Sequence, residues 1–235
     1  MKVNEDITKL YNISWKNAIE NQHEDFGDLY LTIQFLQEID PISIEDNMLE
    51  IGCAVGKLVN FLYEKGYRNI QGIDIAASAI EYGKSLYPHL NLQQGQAYPL
   101  NFPNETIDTC LSFDVVEHIE DIGAHFKEVH RILKKKGKYI FQTPNLFSNS
   151  VFETINSRGF QWRKYHPSLQ TIWSLKRNLK KAGFERFEFH KISPVSEHKT
   201  KQLPGFLKQI FKCIPWKNLP MFMQIGFYTV AYKSE

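Results

Sequence analysis

The stretch MLEIGCAVGKLVNFL, residues 48–62, decides the reading of this chain. A short apolar run, a turn of small residues and an amphipathic run follow one another without a gap. This is the pattern of a buried strand feeding directly into a helix. Gly52 and Gly56 in the turn have no Cβ, so the backbone there can approach a ligand closely. Eighteen residues past Gly56 a second strand-like run, NIQGID (69–74), ends in Asp74. A carboxylate at that place can accept hydrogen bonds from both hydroxyls of a ribose, so the pair predicts an adenosine-containing ligand over the carboxyl ends of strands one and two.

Outward from this unit the rhythm continues. Strand-like runs lie at 90–94, 107–113, 138–143, 184–190 and 225–232, which makes seven in all. Helices are expected over 121–133, closed by Lys134–Lys136 and Gly137, and over 168–182, closed by Gly183. Strands alternating with helices predict an α/β fold with a parallel sheet. Before the first strand, Phe26, Leu29, Tyr30, Ile33 and Leu36 recur at helical spacing, and Pro41 stops the pattern.

Composition bounds the function. The 235 residues are 43% hydrophobic and 23% charged, an ordinary globular composition, and 28 basic against 26 acidic side chains leave a net +2. That balance speaks against a nucleic-acid partner. Cys53, Cys110 and Cys213 are too scattered for a disulfide framework, and no Cys/His spacing suits a metal. The N-terminal MKVNEDITKLYN is acidic and polar where a signal peptide is basic and then apolar, and no apolar run nears the ~18 residues of a membrane span. The expectation is a cytoplasmic chain of one domain. Charge is unevenly spread: residues 1–50 carry 3 basic and 11 acidic side chains, and residues 191–220 carry 6 Lys and one Glu.

Dinucleotide enzymes want G-x-G-x-x-G, and the turn Gly52-Cys53-Ala54-Val55-Gly56 misses that spacing. Neither Tyr-x-x-x-Lys nor the Walker Gly-Lys-Ser/Thr occurs. LEIGCAVG and GID resemble the first two motifs of the class I S-adenosylmethionine-dependent methyltransferases. The likeness continues through 92–121, 131–145 and 166–184 and is closest to the small-molecule branch that includes ubiquinone and menaquinone biosynthesis enzymes. It implies a Rossmann-like, seven-stranded, mostly parallel sheet with helices on both faces. Residues 1–45 would be an N-terminal helical lid, with Tyr11 or Trp15 facing the pocket. Residues 46–190 would be the S-adenosylmethionine-binding core, 191–224 a basic amphipathic insertion and 225–235 the last strand.

Carried over residue by residue, the resemblance implies that Glu50 and the backbone of Gly52, Cys53, Ala54 and Gly56 hold the methionine end. Asp74 takes the ribose, Ile75 lies beside the adenine, and Gln96 and Ala97 flank the base. Phe113 and Asp114 line the pocket near the sulfonium, although Phe113 also reads as sheet core. Two departures stand out. Ala54 replaces the usual mid-turn glycine, and Gln96 replaces an aspartate that recognises the adenine amino group, so cofactor affinity is expected to be modest.

Methyl transfer from a sulfonium needs alignment and desolvation, and a base only where the nucleophile must shed a proton. His118 in VVEHIED is the first candidate base and His166 the second; a purely structural His118, fixed by Glu117, is the competing reading. His125 and His130 read as solvated. The expected cofactor is S-adenosyl-L-methionine, giving S-adenosyl-L-homocysteine, with no metal. The chain lacks the Asp/Asn-Pro-Pro-Tyr/Phe run of enzymes that methylate nucleobases and glutamine, so the expected acceptor is a small-molecule oxygen, nitrogen or carbon nucleophile, apolar or anionic. A catalytically silent cofactor-binding protein and a nicotinamide-dependent oxidoreductase are the alternatives. In the insertion, Phe206 or Leu207, Ile210, Phe211 and Ile214 share one helical face apart from Lys208 and Lys212. Packing on the sheet end is the favoured reading there, and contact with a membrane surface the other.

Overall fold

The computed structural model describes residues 5–21, 27–150, 166–201 and 205–234. Phe26 of the expected N-terminal pattern lies outside them. Seven strands form one sheet: β1 Met48–Ile51, β2 Ile70–Asp74, β3 Asn91–Gln94, β4 Ile107–Phe113, β5 Leu133–Pro144, β6 Arg186–His190 and β7 Gly226–Tyr232. Their order is β3-β2-β1-β4-β5-β7-β6, with β7 antiparallel to both neighbours and the other pairs parallel. The strand order reverses between β1 and β4, and a ligand crevice in such a sheet opens at their carboxyl ends.

Eight helices join or flank the strands among the described residues: α1 Glu5–Glu20, α2 Leu29–Glu38, α3 Lys57–Glu64, α4 Ala77–Leu86, α5 Ile122–Ile132, α6 Ile172–Ala182, α7 Glu197–Lys201 and α8 Gly205–Cys213. The central strands are buried on both faces, which is why they read as nearly continuous apolar runs. One core layer stacks Tyr139 on Phe141 (4.6 Å between ring centres) beneath α5 and α6, and the other gathers Leu31, Phe35, Val59 and Leu62 beneath α2 and α3.

Several local expectations need correction, each for a tertiary reason. Asp28 caps α2 by accepting from the Leu31 amide, so the helix starts at Leu29. Its inward face is Leu31 and Phe35, and Leu29 and Tyr30 are exposed. Phe35 wins that face because its ring meets Phe113, His190 and Tyr228 at the sheet end. The α5 helix ends at Ile132, and Lys134–Gly137 are a bulge inside β5, between the pairs Ile107–Leu133 and Thr109–Lys138. There Lys134 pairs with Asp108 at 2.7 Å. Gly137 serves the bulge, because a Cβ on it would sit 2.8 Å from the Lys134 carbonyl oxygen. The α6 helix starts at Ile172 behind a Thr171–Ser174 capping box, since Ser168 is committed to the Ile119 carbonyl.

His125 and His130 are not solvated. His130 is half-buried with its ring edge on Phe184. His125 is fully buried and bridges the Ala97 carbonyl and the Tyr139 hydroxyl, 2.9 Å each. The segment carrying Gln96 and Ala97 is thereby tied to α5. Arg131 fixes the next residues, donating to the Leu100 and Phe102 carbonyls at 2.8 Å while Glu128 accepts from the Leu100 amide.

Burial pushes the His125 pKa down to about 4, so the folded protein holds this ring neutral. The unfolded chain takes up the proton first. The contribution is therefore complete above about pH 6.5 and is lost at ~1.4 kcal/mol per pH unit as pH falls towards 4. We expect His125→Ala to cost ~2–4 kcal/mol at pH 7 through the cavity and the two stranded partners. In urea denaturation the gap between wild type and variant should shrink at pH 5; a gap that stays constant would refute a neutral buried ring.

Candidate functional site

The crevice predicted by the topology is present as two adjoining cavities of about 760 and 590 Å³ that share Trp15, Gly52, Ala54, Phe113 and Asp114. Between them runs the turn after β1. Gly52 and Ala54 have positive φ, +78° and +51°; for Gly52 the reason is steric, because a Cβ there would meet Val115 Cγ2 at 2.2 Å. The turn's shape is held by the sheet next to it. The amides of Gly52 and Cys53 both donate to the Ile73 carbonyl, and that of Gly56 to the Cys53 carbonyl.

Asp74 at the end of β2 supplies the fourth bond. One carboxylate oxygen accepts from the Ala54 amide at 2.9 Å and the other from the Ala76 amide at 2.8 Å. The Ile75 amide is a third backbone partner, and the carboxylate, with about four lone-pair sites, keeps acceptor capacity for a ligand hydroxyl. Burial pushes the Asp74 pKa up, and the three backbone bonds oppose that.

The larger cavity brings together Asp74, Ile75, Gln96, Ala97, Phe113, Asp114 and His118, with Tyr11 and Trp15 from α1. The smaller one holds Glu50, Cys53, Asp28 and Ser196. Gly56 lines neither cavity. It is the left-handed N-cap of α3, and Leu92 occupies the space where its Cβ would be. Cys53 turns its sulfur inward, against Gly72. Phe113 has both of its expected settings, since it lines the cleft and stands edge-on to Phe35 in the core. Asp28 and Ser196, which hydrogen-bond to each other, were missed by sequence reasoning; only the α2 start pointed at Asp28.

Glu50 is buried at the inner end, and its Oε2 has no hydrogen-bond partner, while the Val59 amide bonds the carboxyl. Burial first, then the charge of Asp74, raises its pKa to about 8. Glu117 is raised to about 8 as well, by burial and by Asp114. Carboxylates thus crowd this crevice and resist one another's ionisation. A cation beside them would relieve that.

The two candidate histidines meet although 48 residues separate them. The Ser168 amide donates to the Glu117 carbonyl at 3.0 Å, which docks the 166–168 segment on the short helical turn Val116–His118. Ring centres of His118 and His166 stand 4.8 Å apart, and Tyr11 presents its ring edge to His118 at 5.8 Å. Below them, Glu117 accepts from the Thr143 hydroxyl and approaches His118 to 4.0 Å. Burial and the proximity of His118 lower the His166 pKa to about 4. Among the described residues, no group of three or more His, Cys, Asp or Glu is placed to hold a metal ion, and no helix is long and apolar enough to cross a membrane.

Residues 49–141 match a family model described as a methyltransferase domain. The chain carries a class I S-adenosylmethionine-dependent methyltransferase domain. A probable S-adenosylmethionine-dependent methyltransferase of Mycolicibacterium smegmatis is 25% identical over 139 residues, 59% of this chain and 52% of that protein. Phosphoethanolamine N-methyltransferase 3 of Arabidopsis thaliana is 24% identical over 191 residues, 78% of this chain and 36% of that protein. The chain therefore spans about half or less of the length of these curated relatives. A putative methyltransferase of Haloferax volcanii, solved in complex with the Trm112 activator, has the same fold, with a TM-score of 0.69 at 14% identity over 96% of both chains.

Within this domain the raised pKa of Glu50 has a measurable consequence. The folded protein keeps its proton up to about pH 8, whereas the unfolded chain releases it near 4.5. Wild type therefore loses up to ~1.4 kcal/mol per pH unit across that window. We expect Glu50→Gln to melt at the same temperature as wild type near pH 4.5 and progressively above it towards pH 8. A variant less stable than wild type at pH 8 would mean that the carboxylate is already paired with a cation in the free protein.

Proposed function

We propose that this chain transfers the methyl group of S-adenosylmethionine to a small-molecule nucleophile in the larger cavity. The observation that carries the reading is the convergence of Glu50, Asp74 and Asp114 on the turn after β1. Such a ring of carboxylates suits a ligand with a sulfonium and an ammonium and disfavours the pyrophosphate of a nicotinamide dinucleotide. Bound there, S-adenosylmethionine supplies a methyl group already activated on sulfur. The chain's own residues do the rest. Glu50 accepts from the ammonium group, Asp74 accepts from the ribose hydroxyls, and Gln96 and Ala97 border the base. Trp15 and Phe113 exclude water from the shared wall of the two cavities.

His118 takes the acceptor's proton where one must leave. Two imidazoles 4.8 Å apart resist being charged together. His166, with its pKa near 4, is neutral at physiological pH and orients its neighbour. A small acceptor is supported by the enclosed cleft and by the likeness to a phosphoethanolamine methyltransferase. Cytoplasmic location is part of the same proposal, and fractionation of the cells that make the protein would test it.

Calorimetry should detect S-adenosylhomocysteine and not NAD. Asp74→Ala should weaken the former at least tenfold, since each charge-assisted bond is worth ~1.5–3 kcal/mol, with the fold checked by circular dichroism. A change of less than a few-fold in a folded variant would remove the ribose assignment. In methyl-transfer assays over amine, phenol and carbon acids, His118→Ala should lower kcat by ~100-fold or more for acceptors protonated at the assay pH, with S-adenosylhomocysteine affinity unchanged. His166→Gln should do less and shift the pH profile. Equal losses for acceptors that carry no proton to remove would make His118 structural.

A further inference from the structure

The segment between β6 and β7 does two different things. Its second half is anchored: Trp216 and Gln224 are buried, Gln224 donates to the Trp216 and Leu219 carbonyls, and Asn145 donates to the Phe222 and Gln224 carbonyls. Near its start Ile192, Ser196 and Thr200 are buried as well, but α8 between these two parts is not held in this way. The α8 helix has no buried side chain, and Phe206 and Ile210 are 69% and 56% exposed on one face. The expected packing of the α8 apolar face on the sheet end fails for Phe206 and Ile210.

A second exposed group adjoins it. Trp173 of α6 is 61% exposed and stacks on Phe222, 6.4 Å between ring centres and 24° between planes, and Phe147 meets it edge-on. Phe211 of α8 meets the buried Trp216, 4.8 Å between ring centres. Phe147 follows β5 and Phe222 precedes β7, so these rings stand at the sheet edge onto which the cleft opens.

The surrounding charge is one-sided. Residues 166–234 hold 12 Lys and Arg against three acidic residues, Glu185, Glu188 and Glu197. Among the described residues no ion pair involves Lys208 or Lys212, which lie on the side of α8 away from Phe206 and Ile210. Neither cavity is lined by these aromatic side chains, so the face offers protruding rings, with lysines on the polar side of the helix, rather than a pocket for a partner's side chain.

We propose that this face, α8 together with Trp173 and Phe222, docks on an anionic lipid bilayer. Aromatic and aliphatic side chains enter the headgroup boundary, and the lysines meet the lipid phosphates. An acidic protein could match the charge, but a fluid bilayer needs no shaped counterpart for isolated rings. This goes beyond the methyltransferase reading, and its test does not use methyl transfer.

The full chain should co-sediment with vesicles of phosphatidylglycerol mixed with phosphatidylcholine and not with vesicles of phosphatidylcholine alone. Phe206→Ser with Ile210→Ser should abolish sedimentation, and Lys208→Ser with Lys212→Ser should lower it about 25-fold, at about fivefold for each lysine. All four positions are outside the cleft, so melting temperature and S-adenosylhomocysteine affinity should match wild type. No sedimentation with anionic vesicles, equal sedimentation with neutral ones, or sedimentation that survives both pairs of substitutions would overturn the proposal. Retention on poly-glutamate by a protein that ignores vesicles would overturn it in favour of an acidic protein partner.

Discussion

The carboxylate of Asp74 is the constraint on which the crevice depends. Its two oxygens bond the amides of Ala54 and Ala76, so one side chain joins the turn after β1 to the start of α4. Ala54 is held at φ +51°, a conformation a non-glycine residue adopts at a cost of ~1–2 kcal/mol, and the bond to Asp74 is what offsets it. Burial raises the pKa values of Glu50 and Tyr11, and the charge of Asp74 adds to both, after Glu117 in the case of Tyr11. Asp74 therefore contributes to both the shape and the electrostatics of the inner end of the cleft. A methyl at the mid-turn position is tolerated because the backbone, not the side chain, is what Asp74 grips.

What was legible in the sequence followed from local chemistry. The β1–turn–α3 unit, Asp74 eighteen residues on, and the seven strands were readable because buried strands and small-residue turns leave little choice of residue. What was not legible followed from contacts across the fold. Leu31 and Phe35 displace Leu29 and Tyr30 as the inner face of α2 because the rings at the sheet end wait on that side. A histidine on an amphipathic helix gives no sign that its two ring nitrogens will find a carbonyl and a phenol, as His125 does. The lysine run after α5 imitates a helix end, and only Asp108 on the neighbouring strand reveals it as a bulge.

The candidate site was legible by composition rather than by role. Gly56 belongs to a helix cap, and the amides of Gly52 and Cys53 are spent on Ile73, so the turn can offer a ligand closeness more than donors. His118 and His166 come together through Ser168, a residue whose importance no local pattern announces. Glu117 is the buried carboxyl beneath the pair, and its position beside other polar residues in VVEHIED hid its burial.

The basic C-terminal third and the acidic cleft are opposite answers to one electrostatic problem. Inside, carboxylates stripped of water hold each other's protons and are ready for a cation. Outside, residues 166–234 carry twelve basic side chains against three acidic ones, and an excess of positive charge acts on anions over a Debye length. The two fields share the carboxyl edge of the sheet, and Ser196 joins them directly through its hydrogen bond to Asp28, the residue that caps α2 and borders the smaller cavity. Under the proposed methyl transfer, an acceptor with an anionic head would be favoured at the basic outer face and would gain nothing from the carboxyl groups of the cleft. Its head would then stay at the rim, with its neutral or cationic part towards the cleft.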